Sequence, residues 1–247
     1  MRLLTALLTL VAALGLLGPG TAASAHPAPT YSVGNSATSF YVVRTNGELV
    51  RWDKFTGSYQ PHLIGPGWGN TRLIAGLSTS QLVQVRTDGT LWDWKIDPAD
   101  GVWKGYLVGG GWGTVRQITG LAPNLFQALT DGGQRQEWYS PSGNHTYYNS
   151  AQTSGWDKYS LVAGLSTVYF IEINSGGTAK QHGYTGPGWT ATTIGGGWGN
   201  VRLITGANND RFLVVRTDGV LVEWNRSGTS WAATPIGGGW TDAALLG

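Results

Sequence analysis

A glycine-rich turn carrying a tryptophan returns five times in this chain at an almost constant interval, and that periodicity limits the fold more than any other feature. The turn reads GPGWGN from Gly65, GGGWGT from Gly109, TSGWDK from Thr153, GGGWGN from Gly195 and GGGWTD from Gly237. Its tryptophans, Trp68, Trp112, Trp156, Trp198 and Trp240, are spaced by 44, 44, 42 and 42 residues. A second landmark keeps the same period. It is a tight turn at Thr45-Asn46-Gly47, Thr87-Asp88-Gly89, Asp131-Gly132-Gly133, Gly176-Gly177 and Thr217-Asp218-Gly219, and five residues beyond its last glycine stands Trp52, Trp94, Trp138, His182 or Trp224. Two landmarks that drift together mark a true repeat, and units of this length point to propellers and related arrays.

Each unit divides into four short apolar runs. In the last full copy these are VRLITG, RFLVVRT, VLVEWNR and SWAATPIG, separated by Asn-Asn-Asp, Asp-Gly and Ser-Gly. Runs rich in Val, Leu, Thr and Trp, cut by Gly and Asp turns, predict a four-stranded antiparallel meander. No stretch after Ala25 holds a helical period. The first unit opens with its second strand, SFYVVRT, whereas a surplus first strand, AALLG, stands at Ala243–Gly247. If that strand completes the first sheet, the ring closes and leaves no open blade. The expectation is an all-β, five-bladed β-propeller of four-stranded antiparallel blades, closed by the C-terminal strand, with residues 31–247 as one domain.

Compartment and charge narrow the function. Residues 1–25 carry Arg2, an apolar run from Leu3 to Leu17 and a small-x-small end at Ala23-Ser24-Ala25, the pattern of a secretory signal peptide. Residues 26–30 then read as a short linker, and the protein is expected outside the cell. The 222 residues from His26 hold 15 basic and 14 acidic side chains. That balance gives no reason to expect nucleic acid as a partner, and no later segment is apolar enough to insert in a membrane. With no cysteine in the chain, stability must come from core size or from closure of the fold. A monomer is expected.

In a meander the connections alternate between two faces, so the Asx-Gly hairpin and the Gly-Trp turn share one. Each cleft between blades on that face then offers a tryptophan, glycine amides free of side chains and an Asp or Asn. These suit a sugar: an aromatic ring covers its C–H face, amides reach a carbonyl, and a carboxylate accepts from hydroxyls. The candidate ligand-binding residues are Gly67, Trp68 and Asn70; Gly111 and Trp112; Gly197, Trp198 and Asn200; Gly239, Trp240 and Asp242; and the hairpin residues Asn46, Asp88 and Asp218. Packing between blades is the competing role for the turn tryptophans, and the third-strand Trp52, Trp94, Trp138 and Trp224 read as core. Arg44, Arg86 and Arg216, just before the hairpin, read as supports of the turn. Trp103, Trp189 and Trp231, with Tyr59 in unit one, open the fourth strand and make the opposite face the alternative location. Units three and four depart from the pattern at Thr153-Ser154-Gly155 and at His182, so sites built on them are expected to be weak or lost.

The unit SWAATPIGGGWTDAALL (Ser230–Leu246) resembles the repeat of tachylectin-type lectins, which pair a Trp-initiated strand with a Gly-Gly-Trp turn. That resemblance implies a five-bladed propeller whose clefts bind N-acetylglucosamine- or N-acetylgalactosamine-type glycans, or another cell-surface sugar, multivalently. The segment RTDGVLVEW (Arg216–Trp224) is similar to the repeat of a seven-bladed bacterial lectin group that favours fucose. Two other classes stay open. One is a secreted propeller scaffold that binds a protein partner. The other is a glycoside-active enzyme, against which the expected inner strands TRLIAG, VRQITG, YSLVAG, VRLITG and AALLG speak, since none holds the Asp or Glu that such chemistry needs around a funnel. His26, His62, His145 and His182 occupy unrelated repeat positions without metal-ligand spacing, so no metal, cofactor or catalytic residue is expected.

Overall fold

The computed structural model describes residues 39–247 except Pro187. The signal-peptide pattern, the linker and the first residues of the expected domain lie outside the described residues. Twenty strands form five sheets of four. The first blade holds β1 (Ser39–Arg44), β2 (Leu49–Phe55) and β3 (Ser58–Gly65); the second β4 (Thr71–Ser78), β5 (Gln81–Arg86), β6 (Leu91–Ile96) and β7 (Trp103–Gly109). The third holds β8 (Val115–Ala122), β9 (Leu125–Thr130), β10 (Arg135–Tyr139) and β11 (Tyr148–Thr153). The fourth is built of β12 (Leu161–Gly164), β13 (Tyr169–Ile173), β14 (Ala179–Tyr184) and β15 (Trp189–Gly195), and the fifth of β16 (Val201–Asn208), β17 (Arg211–Arg216), β18 (Leu221–Ser227) and β19 (Ser230–Gly237). The last strand, β20 (Ala243–Leu246), pairs antiparallel with β1, giving the first blade the order β20-β1-β2-β3.

The expected closure is therefore present. Tyr41 and Gly247 exchange both backbone hydrogen bonds, at 2.6 and 2.9 Å. The innermost strands β4, β8, β12, β16 and β20 touch in succession, and β20 returns to β4. They come unusually close at one glycine per strand. A methyl group on Gly206 would stand 1.6 Å from the Gly164 carbonyl oxygen, and one on Gly120 would stand 1.9 Å from that of Gly76. No side chain fits there, so five narrow blades close tightly where seven would leave a wider bore.

The core lies between blades and is largely aromatic. In the fifth blade Phe212 of β17 stacks parallel to Trp224 of β18, at 3° and 6.0 Å, and meets Trp231 of β19 edge-on. The first blade repeats this with Phe40, Trp52 and Tyr59, and the fourth with Phe170, His182 and Trp189. His182 thus fills the place of the missing tryptophan. The third-strand tryptophans are partly buried and pack against the core clusters, and the fourth-strand aromatics meet the second-strand rings edge-on.

Backbone bonds tie the blades together on the hairpin face. The amide of each turn tryptophan donates to the hairpin glycine of its own unit: Trp68 to Gly47, Trp112 to Gly89, Trp156 to Gly133, Trp198 to Gly177 and Trp240 to Gly219, all at 2.9–3.0 Å. The hairpin and the Gly-Trp turn therefore do share one face. The next blade is latched to the same turn, because Thr87, Thr217 and Thr45 donate to the carbonyls of Asn70, Asn200 and Asp242 at 2.8–2.9 Å.

Candidate functional site

The turn tryptophans sit in the walls between blades. Trp68, Trp112, Trp198 and Trp240 expose 6, 6, 7 and 9% of their surface. Each lies against the third-strand indole of the blade that its turn leads into: Trp68 on Trp94 at 4.8 Å, Trp112 on Trp138 at 4.8 Å, Trp198 on Trp224 at 4.4 Å and Trp240 on Trp52 at 4.7 Å between ring centroids. These rings are thus largely core surface, and little of them remains to a ligand.

The other predicted residues have local partners. The side chain of Asn46 accepts from the Glu48 amide, that of Asp88 from the Thr90 amide and hydroxyl, and that of Asp218 from the Val220 amide. These are Asx turns, the reason short hairpins favour such residues. Hydrogen bonds from the Thr90 side chain and amide hold the Asp88 carboxyl below the usual carboxylate range. Arg216 pairs with Asp218, and Arg44 reaches Glu48 at 3.3 Å and Asp242 at 3.5 Å, so both brace turns as expected. Arg86 instead lies over the Trp92 ring, 3.8 Å from its centroid. Gly67, Gly111, Gly197 and Gly239 adopt φ between +85° and +96° with open space where a side chain would be. Their requirement is backbone conformation, which lets the chain swing from the outer strand into the next inner one.

At one junction these parts enclose a cavity of about 330 Å³, between the fifth blade and the first. Gly239, Trp240 and Asp242 of the predicted set line it, with Gly237 and Gly238 on the same turn. Val42, Arg44, Trp52, Tyr59 and Ile236 complete the wall. Among the described residues, the amides of Gly238 and Gly239 make no hydrogen bond within the protein. The Tyr59 hydroxyl donates to Glu223 at 2.5 Å, and burial together with that carboxylate pushes its pKa far up, so it stays a neutral donor. Glu223 itself is 3% exposed. Burial pushes its carboxyl up, but Lys54, at 2.6 and 2.8 Å, with Tyr59 and Asn225, holds it below the ordinary range.

The third-strand aromatics differ in how their ring N–H groups are met. Trp94 donates to Gln84 at 3.0 Å and Trp138 to Gln136 at 3.2 Å; His182 Nε2 lies 2.8 Å from Glu172, the two sharing a hydrogen bond. The Nε1 atoms of Trp52 and Trp224 are buried and find no acceptor among the described residues. The reading of these two tryptophans as pure core missed this difference. The signal was present in two register positions: the second-strand one that holds Val42, Gln84, Ala128, Glu172 and Val214 in successive units, and the third-strand one that holds Val50, Trp92, Gln136, Lys180 and Val222. No group of three or more His, Cys, Asp or Glu among the described residues is arranged to hold a metal ion.

No protein-family model matches the chain, and no curated protein matches it by sequence. Among solved structures it is similar to "Structure of U3-55K" and to "Crystal structure of RRP9 WD40 repeats". Both comparisons give 14% identity and a TM-score of 0.48 over 80% of this chain. The chain spans 61% and 60% of the length of those two proteins. At that distance the strand pairing carries the architecture, and these neighbours add no argument to it.

Proposed function

We propose that this chain is a secreted carbohydrate-binding propeller, a lectin for N-acetylhexosamine-type glycans held in its inter-blade clefts. The observation that carries this reading is the cavity between the fifth and first blades. Its volume of about 330 Å³ lies at the small end of ligand pockets, suited to a sugar ring and not to an extended peptide. Its wall mixes apolar Val42, Ile236, Trp52 and Trp240 with a charged rim of Arg44 and Asp242 and the unpaired amides of Gly238 and Gly239. Sugars present the same mixture, C–H faces alternating with hydroxyls and an acetamide. The basic, apolar and small-residue start of the chain supports export. Inner strands without Asp or Glu support binding without turnover. The test is a glycan array probed with the chain from His26: selective capture by acetamido sugars, blocked by free N-acetylglucosamine, is expected, and release of reducing sugar from the captured glycans would overturn the non-enzymatic reading.

One observation favours a protein partner instead. Leu63 on β3, Leu107 on β7 and Tyr184 on β14 are 57, 59 and 47% exposed. An array with no sugar-dependent signal would shift the reading to a scaffold that uses such side chains.

A further inference from the structure

Five clefts share the bond from the turn tryptophan to the hairpin glycine, yet their buried donors are not in the same condition. In the second blade the indole N–H of Trp94 is answered by Gln84, and in the third that of Trp138 by Gln136. In the fourth, His182 is answered by Glu172. In the first and fifth blades the register position of Gln84 and Glu172 holds Val42 and Val214, and Trp52 and Trp224 keep an N–H with no acceptor among the described residues. An unanswered buried donor destabilises the fold, and a core that needed only packing could place phenylalanine here. Trp52 and Val42 both line the 330 Å³ cavity, so the ring that carries the donor borders a space a ligand can enter, while its N–H is itself buried. Arg44 lines that cavity too, and its counterpart in the fifth blade, Arg216, keeps a buried Nε likewise without an acceptor.

We infer that the ligand-binding clefts are two and adjacent, at the junctions leading into the first and fifth blades, where the rings of Trp52 and Trp224 turn on binding so that the indole N–H donates to the acetamide carbonyl of the bound sugar. The other three clefts are closed to that contact by acceptors of the chain itself. This rests on the carbohydrate reading above and adds to it a site count and a reading group. Two neighbouring sites on one face also set the multivalency, since a branched glycan can bridge them but cannot span five.

The test counts sites by frontal affinity chromatography, with immobilised protein and N-acetylglucosamine as the probe. The wild-type capacity is expected at two sites per chain. Trp52→Phe and Trp224→Phe keep the ring but remove the donor. Each should halve the capacity and the double variant abolish it, with the melting temperature unchanged or raised because an unanswered donor has gone. Trp138→Phe, which removes a satisfied donor, should leave the capacity at two. Val42→Gln supplies within the first blade the acceptor that Gln84 supplies in the second, and should halve capacity with Trp52 intact. A capacity of four or five, or one indifferent to Trp52→Phe, Trp224→Phe and Val42→Gln, would overturn the two-site inference while leaving the lectin reading in place. Absence of any retention of N-acetylglucosamine would overturn both.

Discussion

At the residue scale, the same side chain type does different work at different register positions. The turn tryptophan is a filler: Trp198 is buried against Trp224 and Phe212, so Trp198→Ala should destabilise by about 3–5 kcal/mol, read from urea unfolding. A loss under about 1 kcal/mol would mean that the ring is not core. Glycines divide in the same way. Gly206→Ala drives a methyl into the Gly164 carbonyl, whereas Gly199→Ala meets nothing within 4 Å. The first should fail to accumulate as folded protein and the second should melt close to wild type, which comparative thermal denaturation will show. Glu223 gives a pH dependence with a definite sign. Its folded-state pKa lies below the ordinary carboxylate value, so between the two the unfolded chain binds more protons and stability rises with pH. The contribution of Glu223 should be complete at neutral pH and lost as pH falls below about 4.5 toward the folded-state value. Glu223→Gln should flatten that part of the stability curve.

At the scale of elements, β20 carries closure. It adds the buried Ala243 and Leu246 and the paired bonds between Tyr41 and Gly247, and its loss leaves β1 as an open inner edge. Removing residues 243–247 should lower stability by about 3 kcal/mol or more, which for a domain of this size is roughly 6–12 °C in melting temperature. A truncated chain that melts within a degree or two of the intact one would refute closure by β20. Strand order and hairpin positions were legible in the sequence because period-2 runs, Asx-Gly turns and the Gly-Trp turn recur with one spacing. What the sequence left open was which way each tryptophan faces. A Trp after a glycine turn satisfies both a packing and a binding role, and only the neighbouring blade, 44 or 42 residues away, decides between them. The cavity was half legible: Gly239, Trp240 and Asp242 follow from the turn. Val42, Arg44, Trp52 and Tyr59 come from the first blade, brought there by closure.

For the whole molecule, repetition gives stability, and the proposed sites lie where the repetition is broken. A ring of five blades without disulfides is held by interdigitated aromatics and by hydrogen bonds from each hairpin amide to the preceding turn. On that frame, Val42 and Val214 leave two indole donors without an acceptor, and the ring of one, Trp52, borders the cavity. The most direct measurement is the set of thirteen tryptophan indole N–H resonances in a ¹H–¹⁵N spectrum of the labelled protein titrated with N-acetylglucosamine. The Trp52 and Trp224 signals, assigned through their Phe variants, should move downfield as they gain an acceptor, while those of Trp94 and Trp138, already bonded, hold still. Equal movement of all four third-strand signals, or of none of the thirteen, would contradict the account.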